Sequence, residues 1–384
     1  MKILLVGEYN RAHRNVKLGL EELGHSAKVV GLTDGFKKVK VDIEIKNYFE
    51  SGLLKKLKVL FVKLFNIDIL SLHLKHQINS KKQELSNFDI IQFINEAPFG
   101  CDRNTQKTLF ELLIEWNKNP FLLSCGTDYI CVTHSYNKKF RYSILTPYFD
   151  GKGSKKDYSS PLSYLTKSHK ILHDYIYNTI KGVISNDLDY HIPLLGHQKY
   201  LGMIPHAINL SKLEYSKPNI KDRIVIFHGI NSFNYYKKGN DIFNDALTII
   251  AEKFPNKVDI IITKDLPYKD YIKSFDKAHI LLDQVYAYDQ GYNALEAMAK
   301  GKVVFTGAEK EWLDYYNLEE DTIAINALPD AEAIAKKLEW LILNPEKIIE
   351  ISKKARQFVE AEHDHIKCAQ NYLEKWQAQI ESRE

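Results

Sequence analysis

The 384 residues carry a formal net charge of +4, with 45% hydrophobic and 27% charged residues. That length exceeds one ordinary core and fits two domains of similar size, while so mild a charge speaks against a nucleic-acid partner. Four cysteines, Cys101, Cys125, Cys131 and Cys368, show no Cys-x-x-Cys spacing and no partnered histidine, so reduced thiols are expected and a zinc site is not.

In chain order, Lys2 to Val6 is a continuous apolar strand that follows Met1 directly, which leads us to expect no signal peptide. With no run of about 18 apolar residues to span a bilayer, the expected location is cytoplasmic. The strand ends in Gly7-Glu8-Tyr9, a helix follows over 15–23, and Lys28 to Gly31 is the next strand. This β-loop-α-β start is the first unit of a Rossmann-like domain. No G-x-G-x-x-G is present, so dinucleotide binding is not expected. Arg14 reads either as a cleft residue or as a surface charge of the helix.

Residues 52–74 place Leu53, Leu57, Leu60, Phe61, Leu64 and Phe65 at helical spacing among Lys55, Lys56, Lys58 and Lys63. Two readings are open: a helix packed on the domain with lysines outward, or a patch that rests on an anionic membrane. Asp89 to Ile94 is a buried strand leading to Asn95-Glu96-Ala97-Pro98, a helix is expected over 105–117, and Phe121 to Ser124 is the next strand. It ends in Cys125-Gly126-Thr127-Asp128-Tyr129, where Asp128 is either a cleft acceptor or the N-cap of the segment after it. Residues 133–160, rich in Tyr, Lys and Gly, predict a long loop. A helix over 162–180, a strand at Gly182 to Ser185 and a linker near Asn209 to Pro218 complete the first half.

The second half opens on a strand from Arg223 to Phe227, running into His228-Gly229. A loop through Asn231 and Ser232 then ends in Lys238-Gly239 before a helix over 241–254. Val258 to Thr263 is a strand whose exit carries Tyr268, a candidate to stack on a base. Ile280 to Asp283 is a strand, and trailing helices are expected over 330–344 and 345–379.

The stretch from Tyr288 to Thr306 reads Y-D-Q-G-Y-N-A-L-E-A-M-A-K-G-K-V-V-F-T. Residues 293–300 are good helix formers, Gly301 supplies the stop, and Val303 to Phe305 resume as a strand. A helix opening on Gly291-Tyr292-Asn293 favours an anion such as a phosphate before it. Glu296 lies near the same opening, placed to accept hydrogen bonds from ribose hydroxyls. The alternative is a core helix with an exposed glutamate.

The motif G-x-x-x-L-E-A-M-A-x-G-x-V-V resembles the donor-site helix of retaining GT-B glycosyltransferases, family 4 in particular. The resemblance implies a GT-B fold: an α/β architecture of two Rossmann-like domains facing a cleft. It divides the chain into an acceptor-side domain over 1–209, a nucleotide-sugar domain over 210–360, and a helix over 361–384 that returns to the first domain. In that family a first glutamate contacts the donor sugar, and a second, eight residues on, contacts the ribose. The second maps onto Glu296. The first falls on Tyr288, with Asp289 beside it, so the sequence departs from the pattern there. The Gly126-Thr127-Asp128 loop resembles a cleft loop of such proteins, near Glu8 and Tyr9. Lys238 matches the lysine of a G-R-x-x-x-x-K-G phosphate grip, whereas Asn231 and Ser232 stand where the arginine belongs.

The resemblance implies transfer of a hexose-type sugar from a UDP or GDP sugar to a hydroxyl of a glycan or lipid-linked acceptor, with retention as the expected stereochemistry. Asp128, Lys238 and Asp289 are the candidate catalytic residues. Glu8, Gly126, Thr127, Asn231, Ser232, Tyr268, Tyr288, Gly291, Tyr292, Asn293 and Glu296 are the candidate binding residues. No D-x-D motif ends a strand, so no metal and no cofactor are expected; cations and a helix dipole would meet the leaving diphosphate. With no nucleophile–base pair in sight, positioning carries the rate. Two alternatives are a GT-B nucleotide-sugar 2-epimerase and a non-catalytic nucleotide-sugar-binding relative.

Overall fold

The computed structural model describes residues 1–32, 39–49, 52–65 and 67–382. The first domain runs β1 (Lys2–Val6), α1 (Ala12–Glu22), β2 (Ser26–Gly31), β3 (Ile43–Glu44), α2 (Gly52–Phe65), α3 (Ile69–Ser80), β4 (Ile90–Phe93) and α4 (Arg103–Glu115). It continues through β5 (Pro120–Ser124), α5 (Tyr129–Tyr136), α6 (Thr146–Phe149), α7 (Ser159–Ser163), α8 (Lys167–Thr179), β6 (Gly182–Ser185), α9 (Leu188–Leu194) and β7 (Tyr200–Met203). The second runs β8 (Ile224–Ile230), α10 (Asn240–Lys253), β9 (Val258–Lys264), α11 (Tyr268–Lys277), β10 (Ile280–Leu282), α12 (Tyr292–Ala299) and β11 (Val303–Thr306). It closes with α13 (Lys310–Tyr316), β12 (Ile325–Asn326), α14 (Ala331–Leu343) and α15 (Pro345–Glu362), after which α16 (His365–Glu381) crosses back.

One parallel sheet has the order β3-β2-β1-β4-β5-β6-β7 and the other β12-β11-β10-β8-β9. Helices cover both faces, which is why the inner strands are mostly apolar: Ile90–Phe93, Gly182–Ser185 and Val303–Thr306 are buried at every position. In such sheets ligands gather outside the carboxyl ends of the strands where the strand order reverses. Here β1 ends into Gly7-Glu8-Tyr9, β4 into Asn95-Glu96 and β6 into Asn186-Asp187, all pointing the same way. Gly7 has φ +92°, and a Cβ there would lie 2.3 Å from Ile94 Cγ2. Only glycine lets the first loop turn so close to its neighbour.

Several segments differ from expectation. Residues 133–160 are not one open loop: they contain the end of α5, all of α6 and the start of α7. Buried Tyr158 and Leu145 pack with Val132 and Tyr164 into a small core of their own. Tyrosines there fill a core that their polar neighbours disguise in the sequence. The helix expected over 162–180 is split at Thr166, whose hydroxyl caps α8. Residues 52–74 lie in two helices, and no residue of α2 is buried: Leu53 is 72% and Phe65 60% exposed. The reading of that stretch as a packed helix is therefore overturned for α2.

The helix expected over 345–379 breaks at His363, and the Asp364 carboxylate caps α16 by accepting from the Ile366 and Lys367 amides. At this break Ile208 donates its amide to the His363 carbonyl (2.7 Å), and His363 bonds the His206 carbonyl through Nδ1 (2.9 Å). The connection between domains is thus pinned where the chain crosses back. α16 lies on α1, and Trp376, fully buried, donates from Nε1 to Gln92 Oε1 at 3.2 Å.

Candidate active site

α12 owes its place to a short polar run and a long apolar one. Gly291 caps it in extended conformation, and Tyr292 to Ala299 are buried except for Asn293. The helix is therefore driven into the second domain, with its start facing the first. Two cavities flank it. The larger, about 700 Å³, is lined by Gly291 and Tyr292 at the helix start; the smaller, about 400 Å³, is lined by Glu296 one turn further on.

The larger cavity draws Glu8, Tyr9, Gly126 and Thr127 from the first domain, and Gln284, Asp289, Gly291 and Tyr292 from the second. Asp187, Asp189 and His206, which sequence reasoning did not single out, also line it. The signal was present: Asn186-Asp187-Leu188-Asp189 is an acidic exit from a parallel strand. Among the described residues no lysine or arginine lines this cavity, whereas four carboxyl groups do. Burial, reinforced by neighbouring Asp187, pushes Asp289 up to about 7. Burial likewise raises Asp187 to about 7, and it raises Asp189 well above the ordinary carboxyl range. His206, 3.4 Å from Asp187, is pushed down to about 4 by burial and so stays neutral. Among the described residues no group of three or more His, Cys, Asp or Glu is arranged to hold a metal ion.

Asp289 and Asp189 form a reciprocal clasp between the domains. The Leu188 amide of the first domain donates to Asp289 Oδ2 (3.3 Å), and the Tyr288 amide of the second donates to Asp189 (3.2 Å). Tyr288 points the other way. Its hydroxyl accepts from the Arg141 amide (3.0 Å), its ring packs against Phe140 and Tyr142, and it does not line the cavity. The clasp is extended by Glu309, which receives the Tyr142 hydroxyl and the Arg141 guanidinium (2.5 Å). None of these partners is close in sequence, so only the fold reveals them.

Asp128 is buried and caps α5, accepting from the Cys131 amide (2.7 Å) and from the Ser124 hydroxyl. It does not line the cavity, and burial with the nearby Glu96 charge raises it to about 6. Glu96 is buried too, yet hydrogen bonds from His169 (2.8 Å) and His173 (2.5 Å) outweigh that burial and hold it at about 2.

In the second domain, Lys238 gives its Nζ to Asp283 Oδ1 (3.1 Å), which also accepts from Asn293 Nδ2 (3.2 Å). Gly239 follows in left-handed conformation (φ +70°), and a Cβ there would meet Val285 at 2.6 Å. That crowding is the physical reason for glycine after the lysine. Asn231 and Ser232 are exposed, the first bonded within its own loop and the second to the loop after β9. Asn231 accepts from the Phe233 amide, and Ser232 bonds Asp265 (2.6 Å); neither lines the two cavities.

The smaller cavity is of opposite character. Arg11, Arg14, Lys40, Lys212 and Lys300 surround Glu296, the one carboxylate among the described residues of its lining, with Tyr268 on the wall. Arg11 Nη1 donates to Glu296 Oε1 at 2.9 Å across the cleft, and its guanidinium lies 5.9 Å from the Tyr268 ring centroid. Arg14 instead gives its backbone amide to Glu8 Oε2 (2.8 Å). Arg11 was missed because the helix starts three residues earlier than its apolar pattern suggests, which makes Arg11 the capping position.

Residues 237–374 match a family model described as glycosyl transferase-like. Comparison with curated proteins finds no match. Among solved structures, the chain is similar to sucrose-phosphate synthase from Thermosynechococcus elongatus, at 13% identity, 100% of each chain and a TM-score of 0.59. It is also similar to HepE from Anabaena in complex with UDP and glucose, at 14% identity, 97% of this chain, 98% of that one and a TM-score of 0.59. A glycosyltransferase from Rickettsia africae aligns at 16% identity over 99% and 98% of the chains, with a TM-score of 0.53. The fold is GT-B over the full length, and residues 237–374 of the second domain resemble a glycosyl transferase-like family.

Proposed function

We propose that this GT-B glycosyltransferase moves a hexose-type sugar from a nucleoside diphosphate sugar to a hydroxyl of a glycan or lipid-linked acceptor, with retention. The observation that carries the reading is α12 bridging two cavities of opposite charge. Glu296 and Tyr268 offer a ribose and base site in the cationic cavity, and Gly291-Tyr292 open the helix at the acidic one. A donor lying along the helix puts its diphosphate at the join and its sugar among Glu8, Thr127 and Asp289. The Anabaena HepE structures with UDP and with UDP-glucose support a uridine nucleotide as the first donor to try. In this reading Asp289 accepts sugar hydroxyls in place of the missing glutamate, Lys238 and the helix start oppose charge on the leaving group, and no metal or cofactor takes part. Positioning of acceptor against donor supplies most of the rate.

The exposed α2 supports an acceptor at a membrane. Leu53, Leu60, Phe61, Leu64 and Phe65 stand in solvent beside Lys55, Lys56 and Lys63, with no acidic residue in the helix. No helix among the described residues is long and apolar enough to cross a membrane, so the contact would be peripheral, on an anionic inner leaflet. One observation favours a second reading, the 2-epimerase: Asp187, Asp189 and Asp289 with His206 offer the carboxyl and imidazole groups that proton removal needs. Incubating the protein with UDP-glucose, with and without a lipid-linked glycan extract, tests both. Nucleotide released only with acceptor supports transfer; an epimerised sugar formed without acceptor, whether or not nucleotide is released, overturns it.

A further inference from the structure

We propose that Arg11 is a first-domain cation that meets the donor's phosphates beside Lys238, handed over from Glu296 when ribose hydroxyls take that carboxylate. The inference rests on the reading of Glu296 as the ribose residue.

Positive charge is missing from the described residues on the wall of the larger cavity. Among the described residues the larger cavity has four carboxyl groups and no lysine or arginine on its wall, so no charged side chain on that wall attracts a diphosphate. In the second domain, Lys238 is tied to Asp283, while Lys237 gives its Nζ to the Asp157 carbonyl (2.9 Å). The loop through Asn231 and Ser232 carries no cation at those positions and is tied to Phe233 and to Asp265. The first domain fills the gap. Arg11 stands at the mouth of the cationic cavity, on the same side of the cleft as Glu8 and Tyr9.

The two partners of the ion pair are unequal. Glu296 is only 8% exposed and fixed on a buried helix, whereas the Arg11 side chain is 32% exposed at the end of a loop. The pair therefore separates by movement of the arginine. Its backbone adds a second sign. Asn10 and Arg11 both adopt left-handed conformations, with φ of 52° and 76°. Two successive non-glycine residues in that region are costly, and such strain gathers where a side chain must be aimed. It aims Arg11 across the cleft instead of along α1.

Chemistry makes the exchange natural. A ribose diol donates to a carboxylate, which weakens that carboxylate's hold on the guanidinium. A planar guanidinium then finds in a diphosphate a better-matched, bidentate partner. One arginine thus closes the empty cleft and grips the loaded one.

The test is titration calorimetry on the full chain with two probes, inorganic pyrophosphate and UDP. Pyrophosphate carries no base or ribose, so its outcome does not depend on which nucleotide the protein prefers. Arg11→Met should weaken UDP about tenfold, or about 1.4 kcal/mol, and Arg11→Lys should recover part of it. Glu296→Gln frees the arginine, so pyrophosphate should bind about fivefold tighter while UDP binds more weakly. In the double variant the pyrophosphate gain should vanish. UDP binding to Arg11→Met at or above the wild-type affinity, or a gain that survives in the double variant, overturns the proposal. So does absence of pyrophosphate binding in every variant. If Arg11→Met loses UDP while Glu296→Gln does not, the ribose reading falls, and the handover with it; the phosphate contact alone stands.

Discussion

Glu296 is held by a 2.9 Å bond from Arg11, on a helix turn buried against the second domain. Glu296→Ala removes a charged acceptor from the proposed ribose, so nucleoside diphosphate affinity should fall by about 1.5–3 kcal/mol. Unchanged affinity in a folded variant removes Glu296 from the site. Lys238 is expected to act on a developing charge, through a site it shares with Asp283 and Asn293. Lys238→Ala should then lower kcat more than it raises the donor KM; a change in KM alone would make the lysine a binding residue only. For the missing glutamate the structure favours Asp289, which lines the cavity, over Tyr288, whose hydroxyl faces Arg141. Asp289→Asn should slow transfer by about one to two orders of magnitude, with bare diphosphate affinity nearly unchanged. A wild-type rate for Asp289→Asn with a crippled Tyr288→Phe would reverse the assignment.

The elements that meet across the cleft carry a pH dependence. α9 and the loop before α12 place Asp187, Asp189 and Asp289 together, with neutral His206 beside Asp187 and α13's neighbour Glu309 bound by Arg141 and Tyr142. Burial raises the three aspartates in the folded chain, to about 7 for Asp187 and Asp289. A raised carboxyl favours the folded state most when protonated, so its contribution is full below the ordinary carboxyl range near 4 and is lost as pH rises through about 7. Asn at position 289 keeps an oxygen for the Leu188 amide but cannot ionise. The melting temperature of Asp289→Asn relative to wild type should therefore climb between pH 5 and pH 8. A flat difference would mean that the clasp does not titrate there. At the same scale, α2 should bind anionic vesicles and release them in salt. Equal sedimentation with neutral and anionic vesicles would leave it without a membrane role.

At the scale of the molecule, the two sheets are joined by contacts that return late in the chain. Trp376 on α16 packs beside Phe121 and Tyr372 and donates to Gln92 on β4. Trp376→Ala should cost about 3–5 kcal/mol by cavity formation, read as a lower denaturation midpoint. A loss under about 1 kcal/mol would show that α16 adds little to holding the domains together.

Periodicity and punctuation in the sequence were enough to place β1, β4, β5, β6 and most of the second domain. Buried parallel strands are largely apolar, and glycines such as Gly7, Gly239 and Gly301 mark turns that no side chain fits. The α12 motif was equally readable, because a glycine start, an apolar helix and a glycine stop lie within one short stretch. What the sequence could not settle depends on distance along the chain. Arg11 meets Glu296 across 285 positions, and Asp289 meets Leu188 across 101. Asp128 could be read as a cleft acceptor until burial and the Cys131 amide made it a helix cap. α2 could be read as packed until the fold left none of its residues buried. Local pattern determines elements, because backbone hydrogen bonding and side-chain periodicity are local. Charge partition between the two cavities belongs to the tertiary structure alone, because burial and electrostatic neighbours exist only once the two domains have closed on each other.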